Sequence, residues 1–468
     1  MSNNNLPQLD PTWPQSAQDA YGALLTLVQQ QNKLIEKLTN KITRLEERLN
    51  LSSKNSDKAP SSDQKRKSSV KRKKSSRQKG AQKGHKGSHR ELLEPTEVHQ
   101  KPISHDCLYG GHWSPIGEPE RFQVTELPEI QPLVVEYLVQ RHSCDSCGRT
   151  AHPGYQPTLH YSRFGPRLHA FVSELSVTYR LSIRQIKEHL EQSFGLKLSE
   201  GAVSGILKRS SEVITEAFTE LHEWFKQDHR YKHTDETSWK IAGQGHYLMG
   251  ASNEFASIFS VARNRRIQDI EQLIGSDKER VIVCDRAMVY LRWVNRQLCW
   301  SHVLRSLIFI SEAKGGKTYG ESLVKLTDQL FDLNEKWRHQ EITLETYLKE
   351  SGEIKDKVRK YLELLKVQPR LSSLAASKVR SLLNHYEQLW MFRSHPEISI
   401  HNNAQERELR NPVIKRKLSF GNDTLEGAQR YARLLSVVQS LNRQGRSWRE
   451  WFVRFCQGQV DSLIPSNA

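Results

Sequence analysis

The chain has 468 residues, with 70 lysines and arginines against 53 acidic residues and a net charge of +17; at about 100–200 residues per domain, two to four domains are expected. No stretch reaches the roughly 18–20 uninterrupted apolar residues of a membrane helix, and residues 1–18 lack the apolar core of a signal peptide, so a soluble cytoplasmic protein is expected. Six cysteines are too few for a disulfide scaffold, and any cluster of them is read for metal or for packing.

In chain order, residues 19–51 read as a coiled-coil helix. With Tyr21, Val28, Ile35, Ile42 and Leu49 at a positions, the d positions fall on Leu24, Gln31, Leu38 and Leu45, a seam that predicts a homo-oligomer, at least a dimer. Residues 52–93 then form a basic linker. Between 54 and 90 there are 14 basic side chains against Asp57 and Asp63, so +12 of the +17 lies there and only +5 is left for the other 431 residues. With so few apolar residues this segment is expected to be disordered and to meet phosphates, through Lys71, Arg72, Lys73 and Lys74 among others. Nucleic acid is the first candidate partner, since counterion release from phosphates does not depend on sequence.

Residues 100–160 resemble a zinc knuckle. Cys144 and Cys147 stand at the spacing at which two thiolates on a tight turn chelate one ion, but upstream Cys107 faces Gly110 where a second thiol is expected. His105 or His112 is the candidate to complete the set. Residues 162–226 read as a helical, helix-turn-helix-like DNA-binding domain: a helix around 181–190, a break at Gly195, and a second helix capped by Ser199, offering Ser204, Lys208 and Arg209 to DNA.

From 230 to 302 the period changes. Residues 231–242, 246–252 and 256–262 read as three consecutive strands, followed by a helix at 267–274, an apolar strand at 281–284 and a short strand at 297–300. A three-stranded meander followed by α-β-α-β is the order of a mixed five-stranded, ribonuclease-H-like α/β sheet. Residues 303–395 are helical and charged, an insertion into that core, and 400–456 supply its last helices. Gly315-Gly316-Lys317-Thr318 looks like the end of a phosphate-binding loop, but Ser311 stands where the first glycine is required and no strand precedes it, which excludes a nucleoside triphosphatase.

Asp235 falls inside the first strand and Asp285 at the end of the fourth, which are neighbours in such a sheet; Glu406 and Arg410 lie one turn apart on a late helix. Three hard oxygen ligands suit Mg²⁺ or Mn²⁺ bound together with water and phosphate, and two such ions serve in-line phosphoryl transfer. Spacing alone does not choose between Glu406 and Glu408, and Glu236 adjoins Asp235.

The stretches HTDETSW (233–239), CDRAMVY (284–290), CWSHVLR (299–305) and NNAQERELRNPVIKRKLSFG (402–421) resemble the motifs of insertion sequence 66 family transposases, and the similarity extends over most of the chain. That resemblance implies a DDE transposase with Asp235, Asp285 and Glu406 as its metal-binding triad, the glutamate following Asp285 by 121 residues across a helical insertion. It implies cleavage at the ends of an insertion sequence, then joining of the freed 3′-hydroxyls to target DNA. The partners would be double-stranded terminal repeats, target DNA and two small companion proteins of the same element. Arg407, Arg410, Lys415, Arg416 and Lys417 would hold strand phosphates, and Cys299 and His302 would shape the site. The alternative is a catalytically inactive DNA-binding protein or repressor; a nuclease that cuts without joining is the third reading.

Overall fold

The computed structural model describes residues 12–56, 91–154, 159, 162–459 and 461–465. Lys71, Arg72, Lys73 and Lys74, with most of the basic linker, lie outside the described residues. Helix α1 (Gln15–Leu49) is one continuous helix without a buried side chain. Its predicted seam is open along its length, Leu24, Ile35, Leu38 and Ile42 being 50–60 % exposed. Just beyond its end the chain meets the body: Leu51 packs on the main core, and the Asn55 amide donates to Glu312 Oε2 at 2.7 Å.

Residues 91–154 run mostly without regular structure. Two short paired strands, β1 (His142–Ser143) and β2 (Thr150–Ala151), bring Cys144 and Cys147 onto one turn. There the Gly148 N–H donates to the Cys144 carbonyl at 2.9 Å, and the Cys144 N–H donates to the Arg149 carbonyl at 2.8 Å.

Four helices follow: α2 (Pro166–Val177), α3 (Ile183–Phe194), α4 (Glu200–Val213) and α5 (Thr215–Gln227). Helix α3 starts in a capping box between Ser182 and Gln185 and ends on Gly195 in the left-handed conformation; Ser199 caps α4 by accepting the Ala202 N–H, as predicted. Val172, Leu175, Ile186, Leu190, Val203 and Ile206 close a small core between α2, α3 and α4. Ala170, Val177, Ile214, Leu221 and Phe225 belong instead to the large core shared with the sheet.

The sheet has five strands: β3 (Lys232–Ile241), β4 (Gln244–Ser252), β5 (Ser257–Ala262), β6 (Ile282–Cys284) and β7 (Arg296–Leu298), in the order β5-β4-β3-β6-β7. The first three are antiparallel; β6 joins β3, and β7 joins β6, in parallel. Helix α6 (Ile267–Ile274) lies where the sequence places it. Strand β4 begins two residues earlier than expected, because Ala242 (φ 48°) and Gly243 (φ 75°) form a two-residue turn with positive φ at both positions. Phe259, Leu248 and Ile258 are buried in the sheet core, each worth on the order of 1.5–3 kcal/mol relative to exposure.

Helix α7 (Trp300–Glu312) begins at the last residue of the segment read as a strand (297–300) and leads into α8 (Lys317–Arg338), α9 (Leu344–Lys366) and α10 (Ser373–Asn384), the helical insertion. The chain returns to the sheet through α11 (Asn403–Ser419), which packs on β3 and β4, and α12 (Leu425–Arg443), which runs along β5. Ser436 and Ser440 of α12 accept the Phe259 and Ser257 N–H groups at 2.8 and 3.0 Å, so hydroxyls satisfy the outer edge of β5. The last helix, α13 (Trp448–Cys456), packs on α2, where Trp448 Nε1 donates to the Ala170 carbonyl. Among the described residues no helix is long and apolar enough to cross a membrane.

One backbone position fixes the far end of α11 to β3. Gly421 has φ 113°, and a Cβ there would run into the Lys240 carbonyl. Gly421→Ala is expected to cost about 3 kcal/mol or more, from strain and clash together. Urea unfolding reads the loss, and an unchanged midpoint would contradict this account.

Candidate functional site

The parallel register pairs Lys232 with Ile282 and His233 with Val283, so two residues further along both strands stand Asp235 and Asp285. On the other side Asp235 faces Gly250 of β4. Directly opposed residues share a face of a sheet, and a Cβ on Gly250 would collide with the Gln405 side chain of α11. The Asp235 side chain therefore rises on the face that α11 covers, and Gly250 is the small residue that lets the helix approach. Glu406 is the next residue on that helix, in its first turn.

Asp235 is partly buried and accepts the Glu236 N–H at 2.8 Å. Burial first, then the charges of Asp285 and Glu236, push its carboxyl well above the usual carboxylate range, and Glu406 adds to the effect. Asp285 accepts the Ala287 N–H at 2.8 Å. Glu406 behaves oppositely: a hydrogen bond with His302 Nε2 at 3.1 Å holds its carboxyl below the usual value, against a desolvation that raises it.

The neighbouring acids have other partners. Glu236 accepts from Tyr290 Oη at 2.6 Å and from Arg265 Nη1 at 3.0 Å. Glu408 pairs with Arg443 at 3.1 Å, and burial raises its carboxyl. Helix α12, which carries Arg443, thus engages the glutamate that spacing could not separate from Glu406.

The turn before α11 is pinned by Asn402, which is 1 % exposed. Its amide donates to the Thr234 carbonyl at 2.8 Å, and its Oδ1 lies 3.0 Å from His233 Nδ1. With the amide nitrogen committed to Thr234, Oδ1 accepts the His233 N–H. Burial pushes His233 down to about 4, so the ring is neutral at neutral pH. The Asn402 N–H donates to Cys299 Sγ at 3.1 Å. Asn402 thereby ties β3, the start of α7 and the start of α11 together. Its role is not read from the sequence, although it stands in the stretch that carries Glu406; an asparagine one residue before a helix is the available signal.

Cys299, His302 and Glu406 present one ligand atom each within 4.8 Å of one another, the one such group of three among the described residues. Cys107 does not join Cys144 and Cys147 in such a group there, nor does His105 or His112. The Cys147 N–H and thiol lower the Cys144 thiol through hydrogen bonds.

Of the predicted phosphate contacts, Arg407, Arg410 and Lys417 are exposed on α11, and Lys208 is exposed on α4 within 4 Å of Glu212 and Glu426. Arg209 is partly buried. Lys415 is a correction: it is buried, donating to the Leu181 carbonyl, and burial lowers it to about 8. Arg416 turns back to β3, donating to the Ser238 carbonyl and hydroxyl and to Thr237 Oγ1.

The arrangement concentrates carboxylates on one face of the sheet, in β3 and just after β6, under a helix N-terminus, and burial together with their mutual repulsion raises Asp235. Hard oxygen donors in that state match a divalent cation, which relieves the repulsion. Residues 161–430 match the family model described as Transposase IS66 family. Residues 13–91 match a family of unknown function (DUF6444), which spans α1 and the basic linker. No curated protein matches the chain.

Proposed function

The chain belongs to the Transposase IS66 family, and on that premise we propose that it is a DNA transposase whose five-stranded core is ribonuclease-H-like. In this reading Asp235 within β3, Asp285 just after β6 and Glu406 in the first turn of α11 would hold Mg²⁺ or Mn²⁺. The observation that carries it is the register that sets Asp235 beside Asp285 while α11 brings Glu406 over the same face. When bound, a pair of divalent ions supplies Lewis-acid activation of the attacking oxygen and stabilisation of the leaving one.

The reaction proposed is hydrolysis of a phosphodiester at the element end, freeing a 3′-hydroxyl, followed by attack of that hydroxyl on a target phosphodiester. His302 orients Glu406, and Asn402 keeps α11 in step with β3. Arg407, Arg410 and Lys417 hold strand phosphates. Exposed α1 pairs with a second copy through its Leu and Ile seam, and the Cys144–Cys147 turn contributes two thiolates to a zinc knuckle.

The test is incubation of the protein with element-end duplex, Mg²⁺ and a target plasmid. Cleaved ends joined to the plasmid are expected. Cleavage without joining would make the protein a nuclease, and intact DNA at full binding would make it a DNA-binding protein.

The basic linker carries a separate expectation. Neutralising Lys71, Arg72, Lys73 and Lys74 together should weaken binding to all duplexes alike and lower the slope of log K against log salt by roughly 3–4. Affinity measured over a salt series on two unrelated duplexes reads both effects; a loss confined to one sequence would contradict nonspecific phosphate contact.

A further inference from the structure

At the end of β3 away from Asp235 lies an open groove of about 740 Å³, formed with the start of β4, the residues after β5 and the last turn of α11. Lys240, Arg263, Arg416 and Lys417 line it, and no carboxylate does. Arg416 is committed to β3, as described, and Arg263 Nη1 donates to Gln244 Oε1 at 2.8 Å, while Lys240, Arg263 and Lys417 are all exposed to solvent. Tyr247 forms part of the wall.

Phe420 stands at the rim, 80 % exposed. Its φ of 58° lies in the left-handed region, which a bulky side chain rarely adopts. The backbone around it is clamped. The Asn422 N–H donates to the Lys240 carbonyl at 3.0 Å, the Ala242 N–H donates to the Asn422 carbonyl at 2.9 Å, and Asn422 Oδ1 accepts Trp239 Nε1 at 2.9 Å. The ring is therefore presented to solvent from a fixed mount.

Cations without a neighbouring acid attract phosphate, and an exposed ring offers a stacking surface to a base whose face is open. A paired base inside a duplex offers no such face. We propose that this groove receives an unpaired nucleotide of the DNA strand on which the carboxylates act, its base stacked on Phe420 and its phosphates on Lys240, Arg263 and Lys417. This rests on the transposase reading above.

The spacing is consistent along both elements. Five residues of strand from Asp235 to Lys240 span about 16 Å at roughly 3.3 Å each. Eleven residues of helix from Glu406 to Lys417 span about 16 Å at roughly 1.5 Å each. At about 3.4 Å per nucleotide, the stacked base lies roughly five steps from the phosphate at the carboxylates.

The experiment uses the full chain with no divalent metal. Two probes are compared by fluorescence anisotropy: a blunt duplex, and the same duplex with a short unpaired tail carrying 2-aminopurine. The tailed duplex should bind more tightly, and its 2-aminopurine should be quenched. Phe420→Ala should weaken the tailed duplex about tenfold and abolish the quenching, with blunt-duplex affinity and the thermal midpoint unchanged, and Phe420→Tyr should restore both. Equal binding of the two probes by the native chain would overturn the proposal. So would a Phe420→Ala loss shared by both probes, or a lowered midpoint, which would make the ring structural. Because no cleavage is read, failure of the catalytic reading shows separately in the joining assay.

Discussion

Asp235→Asn should abolish strand cleavage while leaving DNA affinity unchanged. In the proposed site the substitution removes one anionic metal ligand and no phosphate contact, and a loss of about 4 kcal/mol of transition-state stabilisation corresponds to roughly a thousandfold in rate. The same variant should make the metal-free protein more stable at neutral pH. Native Asp235 is raised above its unfolded value by burial and by Asp285 and Glu236. Below the unfolded carboxylate value both states are protonated and nothing is lost. As pH climbs through that value the unfolded chain ionises first, so native stability falls until pH passes the raised native value. Asparagine carries no such penalty and keeps an oxygen to accept the Glu236 N–H. Urea unfolding across pH, without divalent metal, should show a flatter pH dependence for the variant. Parallel loss of binding and cleavage, or an unchanged pH dependence, would contradict the assignment.

Asn402→Ala should have the next largest effect, on both stability and rate. It leaves the His233 N–H and the Thr234 carbonyl buried without their present partner, and each such orphan costs about 1–3 kcal/mol. It also loosens the start of α11 against β3, and a displacement near 1 Å at a reacting centre costs about a hundredfold. The expected pattern is a turnover rate reduced by about that factor with DNA affinity intact, and an unfolding free energy lowered by about 2–4 kcal/mol. Single-turnover cleavage at saturating DNA separates the two parameters. Cleavage within about twofold of the native rate would show that Glu406 needs no such tether.

The sheet was legible because alternation and turn residues in β3, β4 and β5 are local signals, and α6 was bounded by its own periodicity. The start of β4 was not, since an Ala-Gly turn with positive φ at both positions is an uncommon choice. Glu406 and Glu408 were indistinguishable because the deciding partner, Arg443, lies on a helix whose place on the sheet edge is set by long-range packing. Lys415 had a signal that the charge run concealed. Gln405, Leu409, Pro412 and Lys415 are the buried residues of α11, spaced four, three and three apart, so helical period alone sets Lys415 on the inner face. Tyr290 and Arg265 as partners of Glu236 carried no local signal, because they come from separate segments, a 3-10 turn after β6 and the loop after β5.

The serine pair on α12 bears on how copies of this protein can assemble. An open strand edge is a template on which another chain adds, in ordered assemblies and in aggregates alike. On β5 the Ser257 and Phe259 amides are spent on Ser440 and Ser436. At the opposite margin, the Gln297 amide on β7 donates to the Leu298 carbonyl of its own strand and to the Leu389 carbonyl, and its oxygen accepts the Phe392 N–H. A sheet finished at both margins by its own side chains does not lengthen from one molecule to the next. Association between copies is left to side-chain surfaces such as the open face of α1, and misassembly by strand exchange requires that α12 first peel away.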